Sequence, residues 1–336
     1  MNKVNKSGKS SEKLGRYPFS GGISHYIAAR SPYCTEATVR EDSRKLRYFA
    51  RIFEELKSEG KVRTTDPRHM SRGDIEAFLI WMKVQGLQVS TRVKYLNILE
   101  AYLTSWGNNI IRELKADKTL HLPITPSGGE IRALTLGELQ HLLDCTYKMP
   151  SDRGQIMRAV IALGFGTGCR PKEILGAEVR DVDVKRSRFF VRHPKGEGSW
   201  GTPQWIPIVR GDMLPFLEEY LEVRKNAPQS TTRGKGVPDY LFPSPVDCGP
   251  ISGNAVRVYK RQLEDISGIQ FMLKDLRSSL ASITVAGDVS RIKAVSLQLR
   301  HSKVSTTEHY YARIDTSAEI VHSIGQVWQQ HPIQKR

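Results

Sequence analysis

His301 is followed nine positions later by Tyr310, with Ser305 and Glu308 between them in the Ser-x-x-Glu spacing of a helix capping box. The cap predicts a new helix that places a phenol in its first turns, after a polar turn. A phenol oxygen is a poor nucleophile near neutral pH, and it reacts only where cations and hydrogen-bond donors stabilise the developing charge. Taken alone, Tyr310 and its neighbour Tyr311 read more simply as half-buried aromatics of an amphipathic helix. A chemical role therefore depends on what the rest of the chain brings to that phenol.

The cations that could do so stand far upstream. Met157 to Phe165 reads as a buried helix closed by Gly166-Thr167-Gly168. Arg170 follows in the turn, Pro171 suits the first position of the next helix, and Glu173 lies three residues after Arg170. Two β-rich runs, Arg188 to His193 and Gln204 to Val209, flank Pro194-Lys195-Gly196-Glu197-Gly198, which predicts a hairpin with Lys195 at a mobile tip. Lys274 and Arg277 lie in a helical stretch from Leu273 to Val285. Each also has a plain structural reading: Arg170 and Glu173 as an i, i+3 ion pair, Lys195 as a tip lysine, Lys274 and Arg277 as a solvated face, His301 as a capping residue.

The elements around these residues divide the chain in two. Residues 1–20 read as a flexible basic arm and 21–114 as a helical bundle. In the bundle, Thr38-x-x-Glu41 starts a helix with Leu46, Phe49, Ala50, Phe53 and Leu56 on one face, and Ser71-x-x-Asp74 starts a second. Ser90 caps a third helix, with Tyr95, Ile98, Leu99 and Tyr102 buried, and a short fourth spans Ile110 to Leu114. Residues 115–131 break the pattern with Pro123, Pro126 and Ser127-Gly128-Gly129, as a linker would. Residues 132–336 then carry the hairpin among helices: a capping box at Thr135 and Glu138, Met213 to Arg224, Ser252 to Asp265, Leu273 to Val285, Val289 to Leu297, Thr306 to Tyr311, and Ala318 to Gln329. The expected class is mainly α with a small β-hairpin, an α+β chain of two domains.

Charge indicates the partner. Fifty-one Lys and Arg face 35 Asp and Glu, a net charge of +16, and such an excess points to a polyanion, most simply nucleic acid. Within the bundle, Arg40, Arg44, Lys45, Arg47, Arg51, Arg92 and Lys94 are the candidates for phosphate contact. Cys34, Cys145, Cys169 and Cys248 show no Cys-x-x-Cys spacing, which argues against a zinc site or a disulfide framework and fits a reducing cytoplasm. No apolar run reaches a membrane-spanning length, and the polar N-terminus has no secretory h-region.

Taken together and in order, these segments resemble the tyrosine recombinases of the phage integrase family. Gly168-Cys169-Arg170-Pro171-Lys172-Glu173-Ile174-Leu175 is similar to the family's first box, and Lys195 sits where the family keeps a hairpin lysine. Leu273-Lys274-Asp275-Leu276-Arg277-Ser278-Ser279-Leu280-Ala281-Ser282 is similar to the second box, usually His-x-Leu-Arg-His-x-Phe-Ala. Leu299-Arg300-His301 through Tyr310 resembles the third box and the nucleophile. The resemblance covers the chain from about residue 131 and extends more loosely to the N-terminal helices as a core-binding domain.

It implies that Arg170 and Arg277 clamp the non-bridging oxygens of a DNA phosphodiester, with Glu173 supporting the first arginine. Tyr310 attacks to give a 3'-phosphotyrosine, Lys195 protonates the leaving 5' oxygen and His301 donates to a phosphate oxygen. No metal, ATP or other cofactor is implied. The implied partner is double-stranded DNA, gripped by two domains like a C, with a tetramer in the synapse that could be monomeric when free. The segment Ala318 to Gln329 would dock on a neighbour or pack on its own domain. Three departures stand out: Lys274 replaces the usual histidine of the second box, Arg300 stands where a glycine usually precedes the histidine, and Tyr310-Tyr311 is a tandem. Two rival readings share the fold: a type IB topoisomerase relaxing DNA, and a DNA-binding regulator without catalysis.

Overall fold

A computed structural model of the chain describes residues 18–117, 123, 132–198, 200–226, 239–247, 249–301, 303–305 and 307. Tyr310, Tyr311, Glu308, Cys248, the remainder of the stretch expected as basic arm, most of the 115–131 linker, the helix expected at 306–311 apart from Thr307 and the helix expected at 318–329 lie outside these residues. The chain divides into two compact units, Met1–Ser127 and Gly128–Arg336.

The first unit is helical: α1 (Pro18–Gly21), α2 (Ile23–Arg30), α3 (Glu36–Ser58), α4 (Arg72–Val84), α5 (Val89–Ser105) and α6 (Ile110–Asp117). Its core is aromatic, with Phe49 and Phe53 of α3 against Phe78 of α4 at ring separations of 5.3 and 5.0 Å. Offset and edge-on contacts of this kind add about 0.5–1.5 kcal/mol each beyond the area buried. Phe19 belongs to that core, and its carbonyl accepts a 2.6 Å hydrogen bond from the Tyr102 hydroxyl. Helix thus reaches back to Pro18, inside the stretch expected as arm up to residue 20. The short, glycine-broken run from Phe19 to Arg30 hid two helices whose burial is set by long-range partners. Caps moved as well: Thr35, not Thr38, caps α3, and Ser90 lies inside α5, which starts at Val89 after Gln88. Asp74 does cap α4, its carboxylate accepting from the backbone N–H groups of Ser71 and Arg63.

The second unit is built around α8 (Ser151–Thr167), buried almost along its whole length, with α7 (Leu136–Thr146), α10 (Leu214–Asn226), α11 (Gly253–Ser267) and α12 (Leu273–Gly287) packed on it. Two glycines permit close approach. A Cβ on Gly164 would lie 2.8 Å from Leu276 of α12, and one on Gly166 would lie 3.1 Å from Ile208. The short α9 (Pro171–Leu175) leaves the end of α8, and α13 (Ile292–Gln298) follows α12 through a 3-10 turn. A three-stranded antiparallel meander joins β1 (Val182–Asp183), β2 (Arg188–Val191) and β3 (Gln204–Pro207), with Phe189 opposite both Val182 and Ile206. The hairpin expected from the sequence is β2–β3; the two-residue β1 is too short to leave a periodic pattern. Among the described residues no helix is long and apolar enough to cross a membrane.

Candidate active site

Arg170 is placed by backbone geometry. Helix α8 ends at Gly168 in the left-handed region (φ 69) and the chain turns back, leaving Arg170 extended at the N-cap of α9 with Pro171 at N1. Glu173, at N3, closes the cap: one carboxylate oxygen accepts from the Arg170 backbone N–H at 2.9 Å, the other from its guanidinium at 3.1 Å.

Glu173 then ties in two more segments. Arg300 donates from Nη2 at 2.5 Å to the oxygen that also receives the Arg170 backbone, and the Lys195 backbone N–H reaches the other oxygen at 3.4 Å. A carboxylate offers about four acceptor positions, and this one has four donors. Its side chain is only 2% exposed. Burial by itself would raise the Glu173 pKa, but the charge of Arg300 and the hydrogen bonds from Arg170 and Arg300 outweigh it and hold the carboxyl below its usual range.

Arg277, on α12, is held by two main-chain carbonyls: Gly168 O and Leu299 O, each at 2.7 Å. The same guanidinium therefore spans the residue two before Arg170 and the residue before Arg300. His301 lies beside them. Its Nδ1 pairs with the Thr307 hydroxyl at 2.8 Å. Burial, then the nearby charges of Arg277 and Arg170, push its pKa down to about 4, so the ring is neutral at pH 7. A neutral imidazole with Nδ1 engaged has Nε2 left for a ligand.

Arg300 is the departure with the largest structural consequence. It adopts a left-handed backbone (φ 55), one of two non-glycine residues among those described to do so. That conformation costs an L-residue about 1–2 kcal/mol relative to glycine. Its side chain is 10% exposed, and two of its nitrogens, Nε and Nη1, are buried without a hydrogen-bond partner among the described residues.

The hairpin tip carrying Lys195 is closed by its own backbone hydrogen bonds. Gly201 N–H donates to Gly196 O at 2.8 Å, Glu197 N–H to Pro194 O at 3.1 Å, and the Trp200 indole lies so close to Gly196 (φ 84) that a Cβ there would sit 2.4 Å from it. Lys274, the second residue of α12, is exposed and lines a cleft of about 940 Å³ with Lys172, Arg257, Lys260 and Arg261. These last four were not among the residues expected from sequence, although Arg257, Lys260 and Arg261 stand at i, i+3, i+4 on α11. Nor was Thr307, whose only signal is a hydroxyl-rich run after His301. Val304, Ser305 and Thr307 are already helical, so the helix after His301 begins before Ser305 and the expected cap there is displaced.

In the first unit, Arg40, Arg44, Arg47 and Arg51 line one face of α3, along a shallow groove of about 970 Å³. Arg40 is paired with Glu36, Arg44 with Glu41 at 2.8 Å, and Lys94 with Glu41 at 3.6 Å. Lys45 turns inward: its ammonium donates to the Tyr95 hydroxyl at 2.9 Å and its side chain is 17% exposed, so it braces α3 on α5. Arg92 is half-buried, with Nε lacking a hydrogen-bond partner among the described residues.

The profile of the phage integrase family matches residues 132–317. Tyrosine recombinase XerC of Roseiflexus castenholzii (strain DSM 13941 / HLO8) is 24% identical over 244 residues, 72% of this chain and 74% of the relative. Two solved structures share the fold. The XerH site-specific recombinase in a post-cleavage complex with palindromic difH substrate has a TM-score of 0.65 at 15% identity, covering 94% of this chain and 98% of that one. The Tn1549 transposon integrase with transposon right end DNA has a TM-score of 0.63 at 16% identity, covering 92% and 99%.

Proposed function

The chain belongs to the phage integrase family, the tyrosine recombinases, enzymes that cut and rejoin DNA at specific sites; from that premise we propose that it does so through Tyr310, with Arg170, Lys195, Lys274, Arg277 and His301 as its partners at the scissile phosphate. The observation that carries this reading is the convergence of Arg170, Arg277 and His301, from segments far apart in sequence, around the carboxylate of Glu173 and the carbonyls of Gly168 and Leu299.

The steps follow from the residues. The guanidinium groups of Arg170 and Arg277 bind the two non-bridging oxygens and stabilise the extra negative charge of the pentacoordinate state; loss of one such preorganised donor typically costs about 3–4 kcal/mol. The Tyr310 oxygen, its phenolic proton released to solvent water, forms a bond to phosphorus as the bond from phosphorus to the 5' oxygen breaks. The Lys195 ammonium gives that oxygen its proton, leaving a 3'-phosphotyrosine and a free 5'-hydroxyl. With the Thr307 hydroxyl donating to Nδ1, neutral His301 carries its proton on Nε2 and donates it in a hydrogen bond to a phosphate oxygen. Lys274, where a histidine is usual, adds charge at the mouth of the basic cleft. A second strand's 5'-hydroxyl reverses the sequence on a new partner.

DNA contact extends along Lys172, Arg257 and Arg261 in the second unit and along Arg40, Arg44, Arg47 and Arg51, with Arg92 and Lys94, in the first; Lys260 is held instead by Glu264 at 2.5 Å. Exchange between two duplexes takes four cleavages, so the working form is a tetramer on DNA. The test uses nicked duplexes with a randomised core, from which SDS-resistant protein–DNA complexes are selected. The wild type is expected to give them, and Arg170→Ala and Tyr310→Phe to lose them. A selected site placed twice in a plasmid should yield recombinants; relaxation without recombinants would support the topoisomerase reading, and binding without any covalent complex the regulator.

A further inference from the structure

Arg300 stands in a backbone conformation that favours glycine, and its guanidinium is buried with two nitrogens unpartnered among the described residues. A residue that is disfavoured both by its backbone and by its side-chain burial persists where it serves the site. Its one ion-pair partner among the described residues is Glu173, and the distances rank the two arginines that share this carboxylate: 2.5 Å for Arg300 against 3.1 Å for Arg170. Without Arg300, a buried carboxylate would be left with Arg170 as its nearest charge, and a guanidinium facing a lone carboxylate closes onto it through two parallel hydrogen bonds. That would turn the planar fork of Arg170 away from any other anion.

We propose that Arg300 is a positioning residue for strand cleavage: by taking the larger share of the Glu173 carboxylate, it leaves the Arg170 guanidinium available to the scissile phosphate. The proposal rests on the reading of Arg170 as a phosphate ligand. Arg300 itself does not touch DNA in this scheme. It acts across 127 residues of sequence, and the same contact fixes the start of the segment that carries His301.

Arg300→Gly is the natural test, because glycine suits φ 55, and cleavage is compared below the melting temperature measured for each protein. In single-turnover cleavage of a selected nicked duplex, the rate constant should fall roughly 10- to 100-fold, the range that misplacement of a catalytic group produces. The Kd for the duplex should stay within about twofold, since no phosphate ligand is removed. Millimolar guanidinium ion should restore part of the rate in Arg300→Gly, with sodium chloride at equal ionic strength as the control. In a Glu173→Gln background, Arg300→Gly should add no further loss. An unchanged rate constant in Arg300→Gly, with the wild type still forming covalent complexes, would overturn the inference and leave the family reading intact. A multiplicative further loss in the Glu173→Gln background would also overturn it, because it would mean that Arg300 meets the DNA directly. Failure of the wild type itself to cleave would instead count against the reading on which the inference rests.

Discussion

His301 is the residue whose chemistry is most altered by its surroundings. Burial and the charges of Arg277 and Arg170 lower its pKa from 6.5 to about 4, so the folded state binds fewer protons than the unfolded one between those values. By linkage, the neutral ring favours folding above pH 6.5, and that contribution is lost as pH falls toward 4. Thermal melts should therefore fall over that window, and His301→Gln should flatten this part of the profile. A wild-type melting temperature flat across the same window, or an equal fall in the variant, would contradict the placement of the ring. The residue types at Arg170, Glu173, Arg277 and His301 could be read from sequence, because each sits in a local context with its own signal, such as a glycine-closed helix or an arginine three residues after a lysine. The Arg300–Glu173 contact could not be read there. Arg300 was visible only as an odd residue in a glycine position, and its partner is set by tertiary packing.

At the scale of the elements, one glycine joins the end of α8 to two parts of the site. Gly168 has φ 69, its carbonyl holds Arg277, and a Cβ on it would lie 2.6 Å from Leu299, the residue whose own carbonyl takes the other end of that guanidinium. Gly168→Ala should destabilise the fold by about 1–3 kcal/mol, through backbone strain and overpacking together. It should also slow cleavage, which denaturant titration and single-turnover assays measure separately. Thr135→Ala gives the contrast. It removes the cap of α7, where the Thr135 hydroxyl accepts from the Glu138 N–H and the Glu138 carboxylate accepts from the Thr135 N–H; a loss of about 1 kcal/mol is expected with cleavage unchanged. Caps such as those of α4 and α7 were legible because both partners lie within four residues. Those of α3 and α5 were misplaced by a few positions, since polar residues compete for the same start. Helices α1 and α2 escaped notice because Phe19 gains its burial from Phe53 and Tyr102.

Across the molecule, a net charge of +16 is distributed over both units. The exposed Arg47 and Arg51 on α3, and Arg257 and Arg261 on α11, should each lower the salt dependence of duplex binding when replaced by alanine. The slope of log K against log salt should drop by about 0.9 for each phosphate that is no longer neutralised. Replacement of Lys45 should leave that slope unchanged and lower stability, because its ammonium is engaged by Tyr95. The charge excess was legible from composition alone; which lysines and arginines face outward was not, since Lys45 and Arg47 differ by two positions on one helix.

The most direct measurement is the mass of the DNA-linked peptide recovered after protease digestion of the SDS-resistant complex. We expect a single nucleotide-bearing peptide whose fragmentation places the phosphate on Tyr310, with the complex absent from Tyr310→Phe and retained in Tyr311→Phe. A phosphate on Tyr311 or on any other side chain would contradict the assignment of the nucleophile.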